Sequence, residues 1–111
     1  MTRITVFYKN GSPVGFRAKG HTGYAEAGED IVCAAVSALT QTAYLGIGEL
    51  VGADMQLEQK DGELSLMLAE DTSEEELNKA QLILGTMLLG LRSIEENYSD
   101  YLKVIKREVK A

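Results

Sequence analysis

One cysteine, Cys33, and one histidine, His21, stand twelve residues apart in a chain of 111 residues. A thiol and an imidazole within hydrogen-bond reach of each other form a nucleophile with a general base at its side. The spacing does not keep them apart in space. Extended, twelve residues reach up to about 40 Å, while a loop of that length brings its ends together at modest entropic cost. The same counts exclude other chemistries within one chain. A lone Cys forms no intrachain disulfide, and one Cys with one His cannot supply four N/S ligands to zinc or several thiolates to an iron–sulfur cluster. Nothing resembles a P-loop or a dinucleotide fingerprint. No metal and no cofactor are expected.

The residues around the pair admit two readings each. Gly20, Gly23 and Gly28 punctuate the stretch that carries His21, Thr22 and Tyr24, without strand or helix periodicity. That stretch is a loop, either a plain connector or a lid over a binding site. Asp30 suits the N-cap of a helix whose first turn is Ile31-Val32-Cys33. Cys33 would then sit among unbonded N–H groups at the positive end of the helix dipole, a placement that favours a thiolate and offers donors for an oxyanion. The alternative is a buried cysteine acting as a small hydrophobe. Asp30 can equally orient His21 as the third member of a triad. Ser37 lies one helical turn after Cys33 and shares its face. Glu26 and Glu29 read as solvated loop acids.

The elements that must position these residues follow from the pattern. Ile4, Val6 and Tyr8 alternate with Thr5 and Phe7 as a strand, Asn10-Gly11 is a hairpin turn, and Val14, Phe16 and Ala18 return, with the sole proline, Pro13, at the start. An alanine-rich helix runs from about Ile31 to Leu45 and is expected to stop at Gly46 and Gly48. A second hairpin turns at Asp61-Gly62, with Leu64, Leu66 and Leu68 on its return strand. Ser73-Glu74-Glu75-Glu76 is a capping box that opens a long helix bearing Leu77, Ala80, Leu84, Met87, Leu88, Leu91, Ile94 and Tyr98 on one stripe. Leu82, Ile83 and Leu89 extend that stripe, enough apolar surface for a wide core face or for a second subunit. A short strand from Tyr101 to Ile105 and a solvated basic end, Lys106, Arg107 and Lys110, complete the chain. The expected fold is α+β, a largely antiparallel sheet with two helices in the order β-β-α-β-β-α-β, forming a single domain over residues 1–111.

Eleven Lys and Arg against seventeen Asp and Glu give a formal charge of −6. Such a chain is poorly matched to a phosphate backbone and better matched to a basic partner. The first residues lack the apolar stretch of a signal peptide, and no unbroken run of about 18 apolar residues occurs. No direct nucleic-acid or membrane partner is expected, and the lone unpaired cysteine agrees with a cytoplasmic setting.

The run from Gly20-His21-Thr22-Gly23-Tyr24 through Gly28-Glu29-Asp30-Ile31-Val32-Cys33-Ala34-Ala35-Val36-Ser37 closely resembles the signature of the bacterial ribosomal-processing cysteine proteases, the Prp family. The resemblance implies an enzyme that removes a short N-terminal extension from large-subunit ribosomal protein L twenty-seven. It implies Cys33 as nucleophile and His21 as its proton-transfer partner, with Gly20, Asp30 and Ser37 in supporting positions. It further implies a homodimer, and a loop between His21 and Cys33 that closes over bound peptide. Gly23 and Tyr24 on that loop are candidates for substrate binding. The readings from other classes are a non-catalytic ribosome-assembly or regulatory module that binds the same ribosomal protein, a structural dimer with an inert Cys33, and a metal-dependent hydrolase assembled across a dimer.

Overall fold

Asn10 and Gly11 both take positive φ, 54° and 81°. This is the backbone that a two-residue hairpin turn demands and that this residue pair tolerates. The turn joins β1 (Thr2–Lys9) to β2 (Ser12–Lys19), which pair antiparallel with Ile4 opposite Ala18 and Val6 opposite Phe16. The register shifts between Phe7 and Tyr8, just before Pro13 enters opposite Tyr8. The second hairpin, β3 (Met55–Lys60) and β4 (Glu63–Leu68), turns on Gly62 at φ 71°. In this computed structural model residues 1–20 and 27–109 are described, residues 27–29 by their backbone alone.

The five strands form one mixed sheet in the order β3-β4-β2-β1-β5. Every neighbouring pair is antiparallel except β1 with β5 (Leu102–Glu108). The parallel pair follows from the long crossover through the second helix, which carries the chain from β4 to the far edge of the sheet. The expected α+β order is the observed one. Gly15 faces Met67 across the β2–β4 pair, and a Cβ added there would run into the carbonyl oxygen of Leu66. The absent side chain is what lets the two hairpins join.

Helices α1 (Ala27–Leu45) and α2 (Glu74–Asn97) pack against each other and against the sheet. Ile4, Val6, Phe16, Leu64 and Leu66 meet Val32, Val36, Leu84, Met87 and Leu91 in one buried cluster. Full burial of each large member contributes about 1.5–3 kcal/mol. The crossing of the helices is close at Gly90, where a Cβ would come within 3.0 Å of Leu39 Cδ1.

Three helix boundaries differ from the sequence expectation or refine it. First, α1 begins at Ala27, so Asp30 is not its N-cap but its fourth residue. Ala27 and Glu29 are good helix-forming residue types, which suits the earlier start. Second, Gly46 and Gly48 do not stop the helix. A π-helical turn continues over Gly46–Val51 and ends at Gly52, whose φ of 74° and N–H bond to Ile47 O cap it. Gly46 and Gly48 serve packing instead, since Cβ atoms there would meet Ile83 at 3.4 Å and Met55 at 3.1 Å. Third, α2 opens as the capping box dictates, with Ser73 Oγ accepting from the Glu76 N–H at 3.2 Å.

Of the expected basic end, Lys106 and Arg107 are part of β5, opposite Val6 and Phe7, and Lys110 lies outside the described residues. Leu102 and Val104 anchor this strand in the core, and its charged residues are exposed. Lys106 Nζ lies 4.3 Å from the centroid of the Tyr8 ring, a cation–π contact. β5 is an edge strand, and Glu95 Oε2 on α2 accepts the Val104 N–H at 2.7 Å, closing one of its edge donors. By length and composition the stretch Asp30–Val51, 22 residues of mean hydropathy 1.5, is long and apolar enough to cross a membrane, although no unbroken apolar run occurs in it. Here Val32, Val36, Ala43 and Ile47 of this stretch belong to the core with the sheet.

Candidate active site

At one end of the sheet the start of β1, the end of β2, the β3–β4 turn and the side of α1 enclose a cleft of about 230 Å³. Thr2, Gly20, Cys33, Ser37, Lys60, Gly62 and Glu63 are among the residues that line it. The volume suits one or two side chains of a peptide rather than a cofactor.

Cys33 is the seventh residue of α1, nearly two turns in, and its thiol is free and half-buried. The expectation of a first-turn cysteine is therefore corrected. Its own N–H falls within the helical ladder, and the helix start is about 9 Å away along the axis. The unbonded N–H groups at that start are not beside the sulfur. What is beside it is the hydroxyl of Thr2, with Oγ1 3.3 Å from Cys33 Sγ. Thr2 is 2% exposed and enters from the first residue of β1, held there by its N–H bond to Tyr101 O at 2.8 Å.

Gly20 closes the other side. Its N–H donates to Gly62 O at 2.7 Å, tying the end of β2 to the turn of the second hairpin. A Cβ at Gly20 would stand 3.7 Å from Thr2 Oγ1 and 4.0 Å from Cys33 Sγ. Those are ordinary contacts, so a methyl fits, but a larger side chain would enter the cleft. Ser37 lines the cleft one turn from Cys33, as the helical spacing predicts.

Of the sequence-predicted site residues, the fold thus brings Gly20, Cys33 and Ser37 together. Asp30 is exposed on α1 and does not line the cleft. His21, Gly23 and Tyr24 lie outside the described residues, although His21 directly follows Gly20 in the chain. Sequence reasoning missed Thr2, Gln59, Lys60 and Glu63. Only strand order puts the second hairpin beside the end of β2, and no local pattern encodes that. Charge on this wall comes from Lys60 and Glu63, the latter 3.6 Å from Arg17 Nε. Chemically, the arrangement is a free thiol with a hydroxyl partner lining the cleft, carried on helix and strand backbone.

Comparison with known proteins gives this geometry a family. The family described as cysteine protease Prp matches residues 1–103. The ribosomal processing cysteine protease Prp of Bacillus subtilis is 34% identical over 91 residues, covering 80% of this chain and 81% of its own. The fold superimposes on a crystal structure of the ribosomal processing protease Prp from S. aureus in complex with a substrate peptide, with a TM-score of 0.84 and 26% identity over 96% of this chain and 100% of that one. It matches a second structure of that protease, in complex with a covalently linked product peptide, with a TM-score of 0.81 and 30% identity over the same shares. With nearly its whole length matched, and a free thiol in its cleft, the chain belongs to the family of the cysteine protease Prp, whose members are peptide-bond hydrolases.

Proposed function

We propose that this chain is the endopeptidase that removes the N-terminal extension of large-subunit ribosomal protein L twenty-seven during ribosome biogenesis, with Cys33 as nucleophile and His21 as proton carrier. The observation that carries the reading is the position of Cys33 Sγ, half-buried in a peptide-sized cleft beside Gly20, the residue next to His21. The S. aureus relative, crystallised with a substrate peptide and with a covalently linked product peptide, supports covalent catalysis of this kind.

In this mechanism the thiolate of Cys33 attacks the scissile carbonyl carbon, and the carbonyl π electrons move onto oxygen. The tetrahedral adduct collapses to a thioester as the C–N bond breaks, and His21 gives the leaving amine its proton. Water, deprotonated by His21, then attacks the thioester and releases the new carboxylate and Cys33. The chain acts in the cytoplasm as a homodimer. Support for the dimer is the apolar surface left bare on the helical side, where Leu50, Leu82 and Leu89 are 86%, 74% and 73% exposed.

Cys33→Ser and His21→Ala test the assignment on a peptide that spans the junction of the extension. Each variant is expected to lose turnover while its thermal unfolding stays close to that of the unmodified protein. Turnover retained by Cys33→Ser would remove the thiol from the mechanism.

A further inference from the structure

We infer that Thr2 is a positioning residue for the reactive thiol: its hydroxyl donates to the sulfur of Cys33 and holds Sγ toward the cleft for attack. The inference rests on Cys33 being the nucleophile.

Thr2 opens β1 and is 2% exposed, on the core side of a strand whose alternate residues Ile4 and Val6 are fully buried. Valine has the same shape and would fill the site without a polar atom. A buried hydroxyl there must find a partner, because an unmatched one is costly. Thr40, the other buried threonine among the described residues, bonds the carbonyl of its own helix at Val36 O, 2.9 Å away, as helical threonines commonly do. Thr2 instead reaches across to an atom 31 residues away in sequence, at 3.3 Å.

In the resting thiol either atom can be the donor. Once the proton has left the sulfur only the hydroxyl has one to give, so the bond strengthens in the state that attacks. This donor matters because Cys33 lies nearly two turns inside α1, away from the free N–H groups at the helix start. The other charged groups around the sulfur do not replace it. Lys60 and Glu63 face the cleft from the second hairpin with opposite signs, and Asp30 on α1 is an exposed acid. The backbone fixes the hydroxyl as well. Thr2 is bonded to Tyr101 O, pairs with Leu102 on β5, and has Gly20 beside it with no side chain to displace it.

One hydrogen bond to the attacking sulfur is a modest stabilisation, so the gain toward a small alkylating agent is about threefold. A peptide carbonyl must be met along a defined direction, so orientation adds to it.

The test compares Thr2→Val, Thr2→Ala and Thr2→Ser with the unmodified protein. At pH 7, iodoacetamide should alkylate Cys33 about threefold more slowly in Thr2→Val and Thr2→Ala, and single-turnover cleavage of the junction peptide should slow about tenfold, with KM little changed. Thr2→Ser keeps the hydroxyl, loses the methyl and should recover most of both rates. An unchanged alkylation rate in Thr2→Val overturns the inference. So does a Thr2→Ser variant as slow as Thr2→Val, since packing rather than hydrogen bonding would then be at work. Peptide cleavage by Cys33→Ala would be a different failure, that of the nucleophile assignment itself.

Discussion

The N–H of Gly20 and the carbonyl of Gly62 meet at 2.7 Å, joining the end of β2 to the turn of the β3–β4 hairpin. This bond fixes the backbone one residue before His21 and sets the turn of the second hairpin as a wall of the Cys33 cleft. The end of the molecule that holds this cleft is therefore built from residues near the N-terminus, from the middle of the chain and from α1.

Gly20 borders that cleft. Its missing Cβ lies 4.0 Å from Cys33 Sγ, so Gly20→Ala should fold normally and keep kcat/KM within about threefold, as small contacts are absorbed. Gly20→Leu should lower kcat/KM by at least about tenfold and slow iodoacetamide labelling of Cys33 as well, because its side chain occupies the space. Steady-state kinetics and labelling with both variants check this. Equal activity in the two would show that substrate approaches from elsewhere.

Gly15 is a stability position. An added Cβ meets the carbonyl oxygen of Leu66 in paired backbone, where little can yield. Gly15→Ala is expected to destabilise the fold by about 3 kcal/mol and to lower Tm by more than about 10 °C. Thermal unfolding followed by circular dichroism measures it.

The bare leucines of α2 report on assembly. If they form the dimer interface, Leu82→Glu together with Leu89→Glu should shift the species seen by light scattering from dimer to monomer. Secondary structure should be retained, because both side chains are largely exposed in the single chain. A double variant that remains dimeric would place the interface on another face.

Charge should guide encounter with a basic ribosomal substrate. The chain carries a net −6, so kcat/KM on the full substrate is expected to fall as salt rises from 50 to 500 mM, by about three- to tenfold. A short neutral junction peptide should lose far less. Parallel assays at several salt concentrations separate the two, and identical slopes would exclude steering.

Much of the scaffold was legible because short-range physics encodes it. Asn10-Gly11 and Asp61-Gly62 turn where the pair types require, and Ser73 caps α2 as its spacing to Glu76 demands. Glycine roles set by distant contacts were not legible. Gly46 and Gly48 look like stop signals, yet they make room for Ile83 and Met55, and the helix runs on to Gly52. The start of α1 at Ala27 rather than Ile31 moved Asp30 off the cap and Cys33 away from the helix end, because Ala27 and Glu29 support helix as well as loop. Lys106 and Arg107 read as a charged end until pairing with β1 is known. At the site, Cys33 and Ser37 share a helix face that spacing reveals. Thr2 joins them only through the strand order, which no local pattern carries.

The central claim, that Cys33 cuts the extension from ribosomal protein L twenty-seven, is tested most directly by intact-mass spectrometry of the extended ribosomal protein. It is incubated under reducing conditions with this protein and, in parallel, with Cys33→Ala. A single mass loss equal to the N-terminal extension, seen with the unmodified protein and absent with the variant, is the predicted result and locates the scissile bond. An unchanged mass in both samples, or the same loss with Cys33→Ala, would contradict it.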